Sequence, residues 1–197
     1  NPVDIIAHYI YKLSGLPKNQ VIGTGTAIDS ARLQNMIAQT VNVDPRSVHA
    51  YSMGEHGDSQ MVPWSTVTIA GKPFYDVIAD NKELVGDVDL DELVYRTTQE
   101  GWEIFNRKGT TYYGIATACV GVIKAILNDE NRIIPVSTLL EGEYGERDVY
   151  AGVPTVLNRS GAYDVLEIHM TPGELARFKE STRVIREYTD RIMKLNL

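Results

Sequence analysis

Apolar residues along this chain recur at two periods, and the switches between them mark out its elements. From residue 3 to 13 they keep helical spacing and stop at Ser14-Gly15-Leu16-Pro17, a pair of breakers that ends a helix. Residues 20–25 read as a short strand. Residues 27–41 carry Ile28, Ala31, Met36, Ile37 and Val41 at the spacing of an amphipathic helix. A strand is expected at 48–53, and 62–70 alternate Val67 and Ile69 with polar residues before Gly71-Lys72-Pro73, the pattern of an antiparallel turn and strand. Two helices fill the middle, at 87–108 and 111–127. They join at Gly109-Thr110-Thr111, where hydroxyls near a helix start can bond either the backbone or a ligand. Strands follow at 133–140 and 153–157 with a loop at 141–145 between them, and Asn158-Arg159-Ser160-Gly161 reads as a hairpin turn into a strand at 165–170.

The final helix carries the sharpest signal. Thr171 stands as cap, Pro172 at the first helical position and Glu174 at the third, the arrangement of a capping box. Leu175, Phe178, Ile185, Tyr188, Ile192 and Leu195 make the stripe expected to be buried. No repeat, low-complexity segment or linker divides the chain, so residues 1–197 read as one α+β unit of antiparallel strands packed against long helices.

Composition narrows the chemistry. The chain has 197 residues, 43% of them apolar, enough for a core. Nineteen Lys and Arg against 26 Asp and Glu leave a net charge of −7, which argues against nonspecific binding to nucleic acid or to anionic membranes. An anionic small substrate would need a local positive site. The single cysteine, Cys119, excludes an intrachain disulfide framework and fits a reducing compartment. No basic leader precedes the first residues and no apolar run approaches the ~20 residues of a membrane span, so a cytoplasmic protein is expected. Opening at Asn1 without a methionine reads as a processed or excised piece.

Gly54-Glu55-His56-Gly57-Asp58-Ser59 places a lone histidine between glycines after a strand-like run, a position suited to chemistry more than packing. Imidazole exchanges protons near neutral pH, and a carboxylate on its second nitrogen fixes the tautomer and stabilises the charged form. Asp29 can supply that carboxylate. Arg32, one helical turn further on, offers a planar fork that can grip a substrate carboxylate. Spacing alone also permits a plainer arrangement, with Asp29 and Arg32 paired on a solvated helix face and His56 an ordinary loop histidine. Gly23-Thr24-Gly25 imitates a dinucleotide fingerprint, but Ile28 replaces the third glycine and Asp29 would repel a pyrophosphate at the helix start. A tight strand-to-helix turn is the better reading. His8, His49, His56 and His169 show no metal-ligand spacing, and no Gly-x-Ser-x-Gly elbow occurs.

Six segments stand in the order found in L-lactate dehydrogenases: Asn1-Pro2-Val3-Asp4, Gly23-Thr24-Gly25-Thr26, Asp29-Ser30-Ala31-Arg32, Gly54-Glu55-His56-Gly57-Asp58-Ser59, Lys108-Gly109-Thr110-Thr111-Tyr112-Tyr113-Gly114-Ile115 and Gly142-Glu143-Tyr144-Gly145. Across essentially its whole length the chain resembles the C-terminal, substrate-binding half of that family, although malate and other 2-hydroxyacid dehydrogenases share several of the motifs. The resemblance implies that His56 is the acid/base and Asp29 its hydrogen-bonded partner. It implies further that Arg32 holds the substrate carboxylate, Thr111 contacts the substrate beside it, Ile115 lines the nicotinamide pocket, and Asn1 and Thr24 contact cofactor or substrate near the reacting carbon. NAD is the implied cofactor, pyruvate and L-lactate the substrates, and a homotetramer the assembly. The nucleotide-binding half, with its glycine-rich loop, its ribose-reading acid and a mobile lid carrying the specificity residue, would be an N-terminal domain outside this chain. Many bacterial members respond to fructose 1,6-bisphosphate through a histidine and an arginine at a subunit interface. His49 matches the histidine, but Gln34 stands at the arginine position, so a weak response or none is expected. Rival readings are a malate or L-2-hydroxyisocaproate dehydrogenase, or a non-catalytic oligomerisation or binding domain.

Overall fold

The computed structural model of the chain describes residues 2–194. Helix α1 (Val3–Ser14) ends where Gly15 takes a left-handed φ of 70°, and a single 3-10 turn, Lys18–Gln20, follows Pro17. Helix α2 (Ala27–Val41) has the bounds its pattern predicts. Strands β1 (Val48–His49), β2 (Thr68–Ile69) and β3 (Lys72–Pro73) form a small antiparallel sheet in that order. Two short helices, α3 (Phe74–Asp80) and α4 (Lys82–Val85), lead to α5 (Leu90–Lys108) and α6 (Tyr113–Leu127). A long hairpin of β4 (Arg132–Glu141) and β5 (Arg147–Asn158), extended by β6 (Gly161–Val165), makes a second antiparallel sheet, and α7 (Pro172–Met193) closes the order.

The α+β architecture expected from the pattern is present. One apolar cluster joins α2, α3 and α5 with the small sheet, through Leu33, Ile37, Val67, Phe74 and Leu93. A second fills the space between α1, the β4–β5 hairpin and α7, through Ile5, Leu140, Val149, Val153, Phe178 and Ile185. The helix bearing Asp29 and Arg32 thus packs on α5, while the hairpin carries α1 and α7. The candidate chemistry lies where these two parts meet.

Several expected strands shrink, for identifiable reasons. At 20–25 there is only an isolated bridge between Gly23 and Ser137, because the 3-10 turn precedes it and Gly25 turns the chain at φ 50°. In 48–53 pairing is confined to β1 and to a bridge between Met53 and Met61. In 62–70, Pro63 has no N–H to offer a ladder, and a 3-10 turn, Trp64–Thr66, takes the place of the first half. The strand placed at 165–170 lies at β6 instead. Paired register with β5 ends at Val165 opposite Thr155, with one further bond from Leu166 N–H to Pro154 O at 2.9 Å, and Pro154 has no N–H to continue the ladder. The two hairpin strands run longer than expected, the loop at 141–145 holds a 3-10 turn, and α3 and α4 had no counterpart in the pattern. In α7 the capping box forms as predicted, and Phe178 and Ile185 are buried. Tyr188 departs from the stripe: it is half exposed, with the Arg191 guanidinium over its ring. Leu195 lies outside the described residues.

Candidate active site

The turn before α2 is made by close backbone contact. Gly23 N–H donates to Ser137 O at 2.9 Å and Ser137 N–H returns a bond to Gly23 O at 3.0 Å. Any Cβ on Gly25 would stand 2.3 Å from the Ser137 nitrogen. This close approach makes the segment a tight turn against β4, as read from the sequence. It delivers Thr24 to a cavity of about 860 Å³ and starts the helix that carries Asp29 and Arg32.

Three consecutive amides hold the histidine loop, each to a different element. Gly54 N–H donates to Gly152 O of β5 at 2.9 Å, Glu55 N–H to Ser181 Oγ of α7 at 2.8 Å, and His56 N–H to Asp4 Oδ2 of α1 at 2.9 Å. The Glu55 carboxylate folds back on its own loop and accepts from Ser59 N–H and Ser59 Oγ. Backbone amides anchored in this way fix the loop without engaging the imidazole. The ring is left for the cavity.

His56 Nδ1 lies 2.5 Å from Asp29 Oδ2, and Arg32 Nη1 donates to Asp29 Oδ1 at 3.3 Å. Asp29 is 2% exposed, so this carboxylate is no member of a solvated surface pair. The plainer arrangement of these residues is excluded by that burial. Burial of the His56 ring works against its charge, but the Asp29 hydrogen bond, together with the charges of Asp29 and Asp4, outweighs burial and raises its pKa above the ordinary value; Arg32 acts in the opposite sense. A proton is therefore held on this ring more firmly than on a free imidazole.

The cavity brings Thr24, Asp29, Arg32, His56, Thr111 and Ile115 together. Helix α6 takes no side-chain cap, so the Thr111 hydroxyl just before it is not spent on the helix start. Asn1, expected among these residues, lies outside the described ones. Gln34 and His49 sit elsewhere: Gln34 Nε2 donates to Ala50 O at 3.0 Å, and His49 is exposed on β1. Among the described residues no group of His, Cys, Asp or Glu could hold a metal ion.

Some contributors left no mark in the sequence. Gln60 bridges the cavity wall, accepting from Ser52 Oγ at 2.5 Å and donating to Thr98 Oγ1 of α5 at 2.8 Å, while Ser52 N–H donates to Ser30 Oγ of α2 at 2.9 Å. Gly101 of α5 faces the Arg32 guanidinium, and a Cβ there would sit 3.4 Å from Nη1. Asp4 is the least expected, a buried carboxylate beneath the histidine loop. Its motif was recognisable, but nothing local marks it as part of the site, because its role exists only through a contact 52 positions away.

Comparison with known proteins agrees with this geometry. The model of the lactate/malate dehydrogenase alpha/beta C-terminal domain matches residues 26–195. L-lactate dehydrogenase 3 of Bacillus cereus is 52% identical over 188 residues, covering 95% of this chain and 60% of that protein. L-lactate dehydrogenase 1 of Bifidobacterium longum is 47% identical over 193 residues, covering 98% and 61%. The crystal structure of the minor L-lactate dehydrogenase of Enterococcus mundtii in its ligands-bound form superimposes with a TM-score of 0.92 at 41% identity, covering 98% of this chain and 61% of that one. The chain thus spans about three fifths of the length of the relatives it matches. A histidine–carboxylate–arginine site on this fold, with such relatives, places the chain in the lactate/malate dehydrogenase family, as its alpha/beta C-terminal domain.

Proposed function

We propose that the complete enzyme is an NAD-dependent L-lactate dehydrogenase, and that this chain supplies its substrate-binding and proton-transfer half. The observation that carries the reading is the His56–Asp29–Arg32 constellation at the cavity wall. Arg32 holds the substrate carboxylate with the donors it does not give to Asp29. Asp29 accepts from the Nδ1–H of the ring, which leaves Nε2 to donate a proton to the keto oxygen and to take one back in the reverse direction. Charge on that oxygen then never fully develops.

Val3, Ile28 and Ile115 give the cavity apolar walls beside Thr24, and these residues fit a nicotinamide ring. Bound NADH supplies the hydride. With Ile28 in place of the third glycine, the Gly23-Thr24-Gly25 turn is no dinucleotide fingerprint, in keeping with an NAD-binding domain elsewhere in the complete enzyme. Exposed apolar residues on α1 (Ile6, Ile10, Leu13) and α6 (Val120, Ile123, Leu127) fit surfaces covered by that domain and by further subunits, a homotetramer by family likeness. Among the described residues no helix is long and apolar enough to cross a membrane, and Cys119 is a free thiol, which suits a cytoplasmic enzyme. Because Gln34 spends its amide on Ala50 O and carries no charge, little or no response to fructose 1,6-bisphosphate at the His49–Gln34 face belongs to the same reading.

The names of the relatives favour lactate over malate or L-2-hydroxyisocaproate. The test is NADH oxidation by the complete enzyme with pyruvate, oxaloacetate and 2-oxoisocaproate in parallel. A kcat/KM for pyruvate well above the other two is expected, and a preference for oxaloacetate would move the enzyme to the malate branch.

A further inference from the structure

Asp4 is 2% exposed, and among the described residues the charge that favours its carboxylate is that of His56. One oxygen accepts the His56 N–H, and the Ser137 hydroxyl is the other polar group facing the carboxylate, too poorly aligned for a regular hydrogen bond but close enough to favour its charge. A fold that needed only an acceptor for the His56 amide could use a neutral side chain, since burying a carboxylate's charge is costly. The charge calls for a use.

We propose that Asp4 is a positioning residue of the acid/base site: it seats His56 through the main-chain N–H, and its negative charge acts with Asp29 to keep a proton on the imidazole. For its kinetic consequence the proposal rests on the dehydrogenase reading. The groups around the pair are few. Among the described residues, Glu55 and His56 face Asp4 from the loop, Asp29 and Arg32 face His56 from α2, β4 offers the Ser137 hydroxyl and α7 that of Ser181. His8, one turn along α1, is drawn to Asp148 instead. Burial pushes the Asp4 carboxyl up to about 6, against the opposing effects of Ser137 and the His56 N–H and charge. It is therefore charged at neutral pH, where its field favours the imidazolium, and takes up a proton as the medium turns acid. The carboxyl then withdraws one of the two negative charges supporting His56.

Asp4→Asn in the complete enzyme separates the two roles, because the amide oxygen still accepts from His56 N–H while the charge is gone. The ring of His56 is titrated by NMR in wild type and variant, alongside pH profiles of kcat/KM for pyruvate reduction and thermal unfolding at mildly alkaline pH. The variant is expected to lose the ring proton at lower pH, to lose kcat/KM on the order of five- to tenfold on the alkaline side, and to melt higher because a charge desolvated by burial has been removed. An unchanged His56 titration overturns the proposal, as does a lower melting temperature with an unchanged profile, the mark of a purely structural group. Should Asp4→Asn fail to fold, Asp4→Ser keeps an acceptor without charge and decides by the same titration. If wild type fails to reduce pyruvate, the dehydrogenase reading falls, whereas the NMR titration still judges Asp4.

Discussion

Arg32 meets Asp29 through one N–H at 3.3 Å, a long contact for a guanidinium that lines the cavity with its other donors uncommitted to that carboxylate. Lysine at this position would keep the charge and lose the two-pronged geometry that aligns a small carboxylate. Arg32→Lys in the complete enzyme is expected to cost on the order of 2–4 kcal/mol of transition-state binding, read from kcat/KM for pyruvate. NADH affinity should hardly change, and equal losses in both would point to misfolding. The candidate residues that meet at the cavity could be picked out in the sequence by local signs: glycines around His56, and a carboxylate and guanidinium one turn apart. Asp4, Gln60 and Thr98 could not, because a buried polar group is defined by partners far away in sequence, such as the 38 positions between Gln60 and Thr98.

At the scale of elements, the turn at Gly25 and the tether at Gly54 do most to aim the site. A methyl group on Gly25 would collide with the Ser137 backbone, which cannot yield as a flexible side chain can, and its φ of 50° strains other residues. Gly25→Ala is therefore expected to destabilise the domain by about 3 kcal/mol, measured by denaturant unfolding, and stability within a few tenths of wild type would mean that the turn can relax. Long elements with a clear period, α2 and α7, could be read from the chain nearly to the residue, and α5 begins three residues later than read, after its Asp89 cap. The short strands could not, since prolines at 63 and 154 and the 3-10 turns interrupt ladders that alternation alone would extend. Nor could Tyr188, whose place on the helical stripe ends half in solvent because nothing in the second cluster reaches it.

For the whole molecule, the apolar faces of α1 and α6 and the closed Gly23–Ser137 turn are consequences of one arrangement. In the proposed reading, this fold builds the proton-transfer and anion-holding side of a site, and an NAD-binding domain supplies the phosphate-holding side. The missing third glycine at Ile28 marked a tight turn in the sequence, but the depth at which Asp29 is buried was not legible, and that burial separates the His56–Asp29 contact from a solvated helix-face ion pair. The central claim is that His56 carries the proton. Reduction of pyruvate needs the imidazolium and oxidation of lactate the neutral ring, and with its pKa raised by Asp29 against burial, the ring stays protonated to higher pH than a free imidazole. The most direct measurement is the pH dependence of kcat/KM in both directions for the complete enzyme and for His56→Asn. Opposite profiles governed by a single group above the ordinary histidine value, both lost in the variant with most of the rate, are the expected result; a variant that keeps near-normal turnover and the same profiles would contradict the account.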